Sequence, residues 1–175
     1  MLDYKAAIGY LFQIRERIRA VDLAGLYEYC YPKVAASENA IAEWESSQMV
    51  SLPKQYKNFL LAADGWKNVS QDKSLLGLND LSLASDSKYV KRLDYCVDNL
   101  DSTGDIKYIL PIGAAEYAND LYLLVLDKSS SFYGNVIWAA GEEIERYNDF
   151  DDFFLSLIAY SKYDYKLFTG IDYIE

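Results

Sequence analysis

The hydrophobic spacing changes along the chain near residue 106, and this change limits what the chain can fold into. Before it, apolar side chains such as Ile8, Leu11 and Ile18 recur every three to four positions, which is typical of amphipathic helices. After it, short apolar runs alternate with Gly, Asn, Asp and Ser, which is typical of strands and turns. A chain of 175 residues can bury one sizeable core. We therefore expect helices followed by a sheet in a single domain, residues 1–175.

Four helices are expected before the strands. The first covers residues 4–28, and the second begins near Ser37, whose hydroxyl suits an N-cap. A third helix begins with Pro53 at its first position, where the missing N–H costs nothing, and Gly65 ends it in a left-handed conformation. The fourth covers residues 80–100, because apolar positions recur there on one side. Two short extended segments precede it, one starting at Trp66 and one around Gly77.

The strand-like part contains three apolar runs and a closing helix. The runs are IKYILPIG, DLYLLVLD and GNVIWAA, and the second is apolar on both faces, which places it centrally in the sheet. Gly134 and Asn135 are expected to supply the positive φ angles of the turn before the third run. GEEIERY predicts a further short strand. Asn148 or Asp149 caps a last helix, and the aromatic-rich residues 161–175 pack back onto the domain.

The chain has no histidine, and this absence excludes several kinds of chemistry. A Ser-His-Asp triad, a Cys-His pair and a His-ligated metal all need that side chain. An enzyme would have to use paired carboxylates, Lys, Tyr or carboxylates holding Mg²⁺ or Ca²⁺. Two clusters of three aspartates are compatible with a metal, but neither has a specific ligand spacing. They are Asp149, Asp151 and Asp152, and Asp98, Asp101 and Asp105. The first group also suits a helix N-terminus, where the dipole favours negative charge. We expect no enzymatic activity, no cofactor and no metal.

Cysteine use indicates a reducing compartment, and hydropathy indicates a soluble protein. Cys30 and Cys96 are the two cysteines, and neither lies in a C-x-x-C motif, although one disulfide between them is conceivable. The first 20 residues lack the apolar core of a signal peptide, and no run is long enough to span a membrane. We expect a soluble cytoplasmic protein.

The negative charge lies almost entirely in the second half of the chain. Residues 1–92 carry 12 basic and 11 acidic side chains, whereas residues 93–175 carry 5 basic and 16 acidic ones. The acidic balance argues against direct binding to nucleic acids or anionic membranes. Two interpretations remain open: a solvated face that aids solubility, or an electronegative surface that recruits a basic partner.

Four motifs occur in a fixed order along residues 37–160. The first is Trp44–Glu45, and the second is LPKQYKNFLLAADGW, residues 52–66, with the pattern LP-x-x-Y-x-x-F-L-x-x-x-x-G. The third is the strand pair of LPIGAAEYANDLYLLVLD followed by GNVIWAAGEE, and the fourth is the helix FDDFFLSLIAY. This order resembles the SUKH superfamily, which includes yeast cell-wall assembly regulators and many bacterial immunity proteins. Asp64 stands where the family usually has Asn, and AAEYAN replaces a glycine-rich loop.

The resemblance implies a fold class and a kind of function. The fold would be α+β, with an antiparallel, curved β-sheet packed against helices. Residues 1–36 would add an N-terminal helical extension and residues 161–175 a C-terminal tail. The signature residues would be structural: Leu52, Pro53, Tyr56, Phe59, Leu60, Gly65 and Trp66. Bacterial members neutralise toxins, often nucleases or deaminases, so the resemblance implies binding rather than catalysis. The alternative is a scaffold or regulatory module of the cell-wall-assembly-regulator type.

The charge then suggests how such a protein would bind a toxin. A basic nuclease cleft would be attracted to the acidic second half and occluded by it. The candidate contacts are Asp94, Asp98, Asp101, Asp105, Glu116, Tyr117, Asp120, Glu142, Glu143 and Glu145. Further tyrosines lie among these carboxylates and are candidate anchors, although half or more should belong to the core: Tyr95, Tyr108, Tyr133 and Tyr147. Both a monomer and a homodimer fit the sequence.

Overall fold

A computed structural model of the chain describes residues 1–84, 87–97, 100 and 106–174. These residues form an α+β domain. The α-helices are α1 (Tyr4–Val21), α2 (Glu38–Gln48), α3 (Lys54–Leu60), α4 (Val90–Val97) and α5 (Phe150–Thr169). The strands are β1 (Trp66–Ser70), β2 (Lys73–Leu75), β3 (Ile109–Ala115), β4 (Leu121–Val125), β5 (Val136–Ala139) and β6 (Glu143–Tyr147). Within the described ranges, no helix combines the length and apolar character needed to cross a membrane.

Helix α1 is shorter than its apolar spacing predicts. Asp3 caps its start by accepting from the amides of the first turn, but the helix ends at Val21 rather than at residue 28. Asp22 ends it, because its carboxylate accepts the Leu26 amide at 3.0 Å and the Tyr29 hydroxyl at 3.0 Å. The Leu26 hydrogen bond also lowers the pKa of Asp22. The chain therefore turns one residue after the helix.

The first two of the four family motifs, Trp44–Glu45 and residues 52–66, contribute to α2, α3 and the connection between them. Ser37 caps α2 as expected, since its hydroxyl accepts the Ala40 amide at 3.1 Å. The Glu45 carboxylate accepts the Leu52 amide at 2.6 Å and lies 2.7 Å from the Lys57 ammonium. One side chain of α2 thus fixes the start of α3. Pro53 is the residue that precedes α3 rather than its first residue.

Gly65 has a different role from the expected helix terminator. Helix α3 already ends at Leu60, and Gly65, at φ +88°, leads into β1. A Cβ at Gly65 would lie 2.6 Å from the Gly77 nitrogen, and one at Gly77 would lie 2.4 Å from the Asp64 carbonyl oxygen. The two backbones touch, and the Asp64 carboxylate accepts the Leu78 amide at 2.7 Å. Asp therefore fills the usual Asn position as a hydrogen-bond acceptor.

The sheet is an antiparallel meander of six strands in the order β1-β2-β3-β4-β5-β6. The three apolar runs form β3, β4 and β5, and GEEIERY forms β6, as predicted. All five residues of β4 are buried, which confirms its central place. Gly134 has the expected positive φ, at +86°, but Asn135 does not, so that part of the turn prediction was wrong.

Helices cover both faces of the sheet. On one face, α1, α3 and α5 enclose a core that contains five of the seven signature residues, all of them buried: Leu52, Tyr56, Phe59, Leu60 and Trp66. On the other face, Leu93 and Cys96 of α4 pack on Leu121, Leu123 and Ile137. The prediction of one helix over residues 80–100 was wrong, because α4 begins only at Val90. Both cysteines are free thiols, which excludes the disulfide alternative.

The two terminal helices pack together and run in the same direction. Tyr4 of α1 meets Phe154 of α5 with ring centroids 5.6 Å apart. Helix α5 extends to Thr169, well past the expected end, and Gly170 caps it at φ +69°. The residues beyond pack back as expected, with Tyr173 against Tyr165 at 5.3 Å.

Candidate protein-binding surface

Three hairpin turns meet at one end of the sheet. Strands β1–β2, β3–β4 and β5–β6 are joined by short turns at residues 71–72, 116–120 and 140–142. In an antiparallel sheet with the observed strand order, alternate turns lie at the same edge, roughly 10 Å apart. We call this edge the hairpin end. It carries most of the described candidate carboxylates.

The β3–β4 turn is tied to the β1–β2 turn. The Glu116 amide donates to the Asp72 carbonyl at 3.1 Å, and the Tyr117 amide donates to the Asp72 carboxylate at 3.2 Å. These bonds hold Tyr117 with 85% of its surface exposed. The adjacent Glu116 carboxylate raises the pKa of the Tyr117 phenol. The turn therefore presents an aromatic side chain beside an exposed carboxylate.

Helix α4 brings a second exposed aromatic side chain to the hairpin end. Arg92 donates to the Ala115 carbonyl at 2.8 Å, and the Gly141 amide lies 3.3 Å from the Cys96 sulfur. A Cβ at Gly141 would lie 2.9 Å from the Tyr95 ring, so glycine permits this close approach. Tyr95 is 69% exposed, and Asp94 beside it is exposed as well.

Asp120 stabilises this surface through a hydrogen bond to a neighbouring strand. Its carboxylate accepts the Trp138 indole N–H at 2.7 Å, and it is half-buried. The Lys73 ammonium lies 5.5 Å from the centre of the Trp138 ring. Asp120 is therefore already engaged within the chain, and its role at the hairpin end is to hold Trp138 and the turn.

The three remaining candidate glutamates lie in or next to strand β6 and have different surroundings. Glu142 is exposed in the β5–β6 turn. Glu143 forms an ion pair with Arg146, whose guanidinium lies 4.4 Å from the Phe132 ring centre. Glu145 lies on the α5 side and accepts the Tyr147 and Tyr160 hydroxyls, both at 2.7 Å. Of the three, only Glu142 is an exposed carboxylate at the hairpin end with no side-chain partner among the described residues.

The structure therefore brings part of the predicted site together. The described candidates at the hairpin end are Asp94, Glu116, Tyr117, Asp120, Glu142 and Glu143. Glu145 is separate from them, and Asp98, Asp101 and Asp105 lie outside the described residues. Of the other tyrosines, Tyr95 is exposed, whereas Tyr147 is buried and Tyr108 is half-buried.

Sequence reasoning missed Asp72, which joins two of the turns. It lies in the neutral half of the chain, so the charge imbalance does not indicate it. Its position between the extended segment that starts at Trp66 and the apolar Leu75 was a usable signal, because Asp is common in tight turns.

A basic groove borders the hairpin end on the α4 side of β2. It has a volume of about 350 Å³, and its lining includes Lys33, Lys67 and Lys88. Lys33 and Lys88 both approach Asp80, at 3.4 and 3.6 Å, and Lys67 pairs with Glu28 at 2.6 Å. The groove also reaches Glu116, so lysine side chains border the carboxylates of the hairpin end there.

The aspartates at the start of α5 have structural partners. Asp149 caps the helix by accepting the Asp152 amide at 3.0 Å, and Asp151 accepts the Tyr4 hydroxyl at 2.5 Å. Asp152 accepts from Asn148 at 2.8 Å. In the part of the chain that the structure describes, no three His, Cys, Asp or Glu side chains are grouped so that they could hold a metal ion.

The fold and this surface define a class: an α+β domain that exposes carboxylates and tyrosines on closely spaced turns and on the helix beside them. The model of the SMI1/KNR4 family (SUKH-1) matches residues 35–156, about seven tenths of the chain. The chain therefore belongs to the SMI1/KNR4 family, within the SUKH superfamily. Membership is consistent with protein–protein interaction and with either an immunity-protein or an SMI1/KNR4-like role. No curated protein matches the chain.

Proposed function

We propose that this chain is an immunity protein that binds a cognate toxin domain and occludes it. The observation that carries the proposal is the hairpin end, where exposed carboxylates surround two exposed tyrosines, Tyr95 and Tyr117. Tyrosine is enriched among the residues that dominate interface energy, and a polar rim around it is typical of binding surfaces. Family membership supports binding as the general activity.

The partner in this proposal is a basic protein surface, and a nuclease domain is its best candidate. A nuclease cleft carries positive charge to hold phosphates, and the chain has a net charge of −10. Opposite charge of this kind speeds association by about 10- to 1,000-fold and does so most at low salt. Steric occlusion would then come from the three turns, which lie side by side at one edge of the sheet.

The proposed mode of action is binding without catalysis, in the cytoplasm. The histidine-free composition leaves carboxylates, Lys and Tyr as candidate catalytic groups. The carboxylates of Asp120, Glu143 and Glu145 are engaged by neighbouring side chains, which favours a structural use. The free thiols of Cys30 and Cys96 fit a reducing compartment.

A protection experiment with matched variants tests the proposal. The partner is the toxin domain encoded beside the gene of this chain, and co-expression should protect cells that make it. Reversing two exposed charges, Asp94→Lys with Glu142→Lys, should slow association at least about tenfold at low salt and flatten its salt dependence. Glu38→Lys with Glu43→Lys is the control, because it changes the net charge equally on α2, away from the hairpin end.

Each outcome discriminates between functions. Loss of protection with the first pair and not with the control supports occlusion at the hairpin end. Equal effects of both pairs would show that only net charge matters. Binding of the toxin domain without any protection would favour the alternative, a scaffold of the SMI1/KNR4 type, which the family model itself supports.

A further inference from the structure

The outer side of α5 carries an exposed apolar row that the fold does not use. Its members follow each other at four-residue intervals and are exposed: Leu155, Ala159, Tyr163 and Leu167. The large side chains are between 48% and 64% exposed. A surface helix normally places polar residues on its solvent side. We call this row the α5 ridge.

The inner side of α5 already supplies the core. Phe150, Phe153, Phe154, Leu157 and Ile158 are buried there. The α5 ridge is therefore a second apolar stripe on the same helix. Rows of residues four apart are the ridges that interdigitate when two helices pack. Most of the row also lies beyond residue 156, where the match to the family model ends, so the family pattern does not account for it.

The charges beside the α5 ridge are arranged antisymmetrically. Asp152 is exposed near the start of the helix, and Lys166 is exposed near its end. Both lie seven positions from Ala159, one on each side, and on the outer surface of the helix. Their present partners are local: Asp152 accepts from Asn148, and Lys166 lies 2.7 Å from Asp172. Exposed pairs of this kind contribute little and exchange easily.

We propose that the α5 ridge is the interface of a two-fold symmetric homodimer in which two α5 helices pack antiparallel, with Ala159 at the symmetry axis. In that arrangement Asp152 meets Lys166 of the partner subunit, and Leu155 meets Tyr163 of the partner subunit. The small Ala159 side chain lets the two helices approach closely. The antiparallel helix dipoles add to the attraction.

The charge pattern favours a second copy over other occupants. An interfacial membrane helix would carry basic residues along both flanks, whereas Asp152 and Asp151 occupy one end here. A two-fold contact is self-complementary by construction, and the set Asp152, Leu155, Ala159, Tyr163 and Lys166 is self-complementary about Ala159. The ridge is about 18 Å long, at 1.5 Å per residue. An interface of this size is small, so the dimer should form in a concentration-dependent way.

Sedimentation velocity on the full chain from about 1 to 200 µM tests the proposal, and the dimer fraction should rise over this range. Asp152→Lys and Lys166→Asp should each weaken dimerisation at least about tenfold, whereas the double variant should restore it, because each new charge faces its opposite across the axis. Glu43→Lys, on α2, should leave the dimer unchanged. Circular dichroism of each variant checks that it folds.

A cross-link tests the register independently. Ala159→Cys in a Cys30→Ser background should form an intermolecular disulfide on mild oxidation, since the two positions meet at the axis. Ser46→Cys, exposed on α2, should not. A monomer at every concentration, a double variant as weak as the single ones, or equal cross-linking at both positions would overturn the proposal. The proposal does not rest on toxin binding, because it concerns another face and needs no partner protein.

Discussion

Glu45 provides the sharpest test of how the family motif holds the fold together. Its carboxylate accepts the Leu52 amide at 2.6 Å and pairs with Lys57 at 2.7 Å. Leu52 is 3% exposed, so its amide has no water to replace that acceptor. Glu45→Ala would leave both donors without this partner and would free the start of α3.

The magnitude follows from the two contacts. A hydrogen bond to a charged acceptor contributes about 1.5–3 kcal/mol. The ion pair with Lys57 is partly exposed, so screening limits it to about 0.5–1 kcal/mol. We therefore expect Glu45→Ala to lower the free energy of unfolding by about 2–4 kcal/mol, which lowers Tm by about 4–16 °C in a chain of this size. Glu45→Gln keeps an acceptor and should cost about 1 kcal/mol.

Urea unfolding of the wild type and three variants measures these differences. Lys57→Met is the matched control, since it removes the ion pair and leaves the Leu52 hydrogen bond intact. It should cost no more than about 1 kcal/mol. If Glu45→Ala costs no more than Lys57→Met, the Leu52 hydrogen bond is not what fixes α3, and the reasoning is refuted.

Three other substitutions test the core and the α1–α5 contact by the same unfolding measurement. Tyr56→Phe should leave stability unchanged or raise it by up to about 1 kcal/mol, because the buried Tyr56 hydroxyl has no hydrogen-bond partner among the described residues; a clear loss would reveal a hidden partner. Gly65→Ala should cost more than about 2 kcal/mol, because its Cβ would meet backbone atoms at 2.6–2.9 Å and its φ is +88°; a cost below 1 kcal/mol would contradict this. Burial raises the pKa of Asp164 above its ordinary 3.8, so the folded state holds this proton more tightly than the unfolded state, and the wild type loses stability as the pH rises above about 4. The free energy of unfolding of Asp164→Asn should therefore rise relative to that of the wild type between pH 4 and pH 7. A difference between the two free energies that stays constant across that range would contradict this sign.

The sheet was predictable because its signal is local. The strands β3, β4 and β5 are short apolar runs between turn residues. A short run that is apolar on both faces is typical of a strand in the middle of a sheet. The caps at Ser37 and Asp149 were predictable for the same reason, since each acts within one helical turn.

The failures concern contacts that the spacing of apolar residues does not show. Helix α1 ends at Asp22 because that carboxylate captures amides that follow it, which helical periodicity does not show. Gly65 is required by the backbone of Gly77, twelve residues away, and not by a helix end. The contact between Gly65 and Gly77 appears only when β1 and β2 are paired.

The candidate site was predictable in composition but not in arrangement. The imbalance of charge pointed to Asp94, Glu116 and Glu142, which the structure places in exposed positions at the hairpin end. It could not separate them from Glu145, which two tyrosine hydroxyls engage, or include Asp72, which comes from the neutral half. The order of the strands decides which carboxylates lie at the same edge of the sheet. Counting charges along the sequence gives no information on that order.

Hydrogen–deuterium exchange of this chain, alone and in the presence of the proposed partner, a toxin domain, tests the central claim most directly. Our account predicts slower exchange on binding at the hairpin end, in peptides covering residues 71–72, 94–96, 116–120 and 140–142. Peptides of α2 should exchange at the same rate in both states. Protection confined to α2, α3 or the basic groove, with an unchanged hairpin end, would contradict the proposed binding surface.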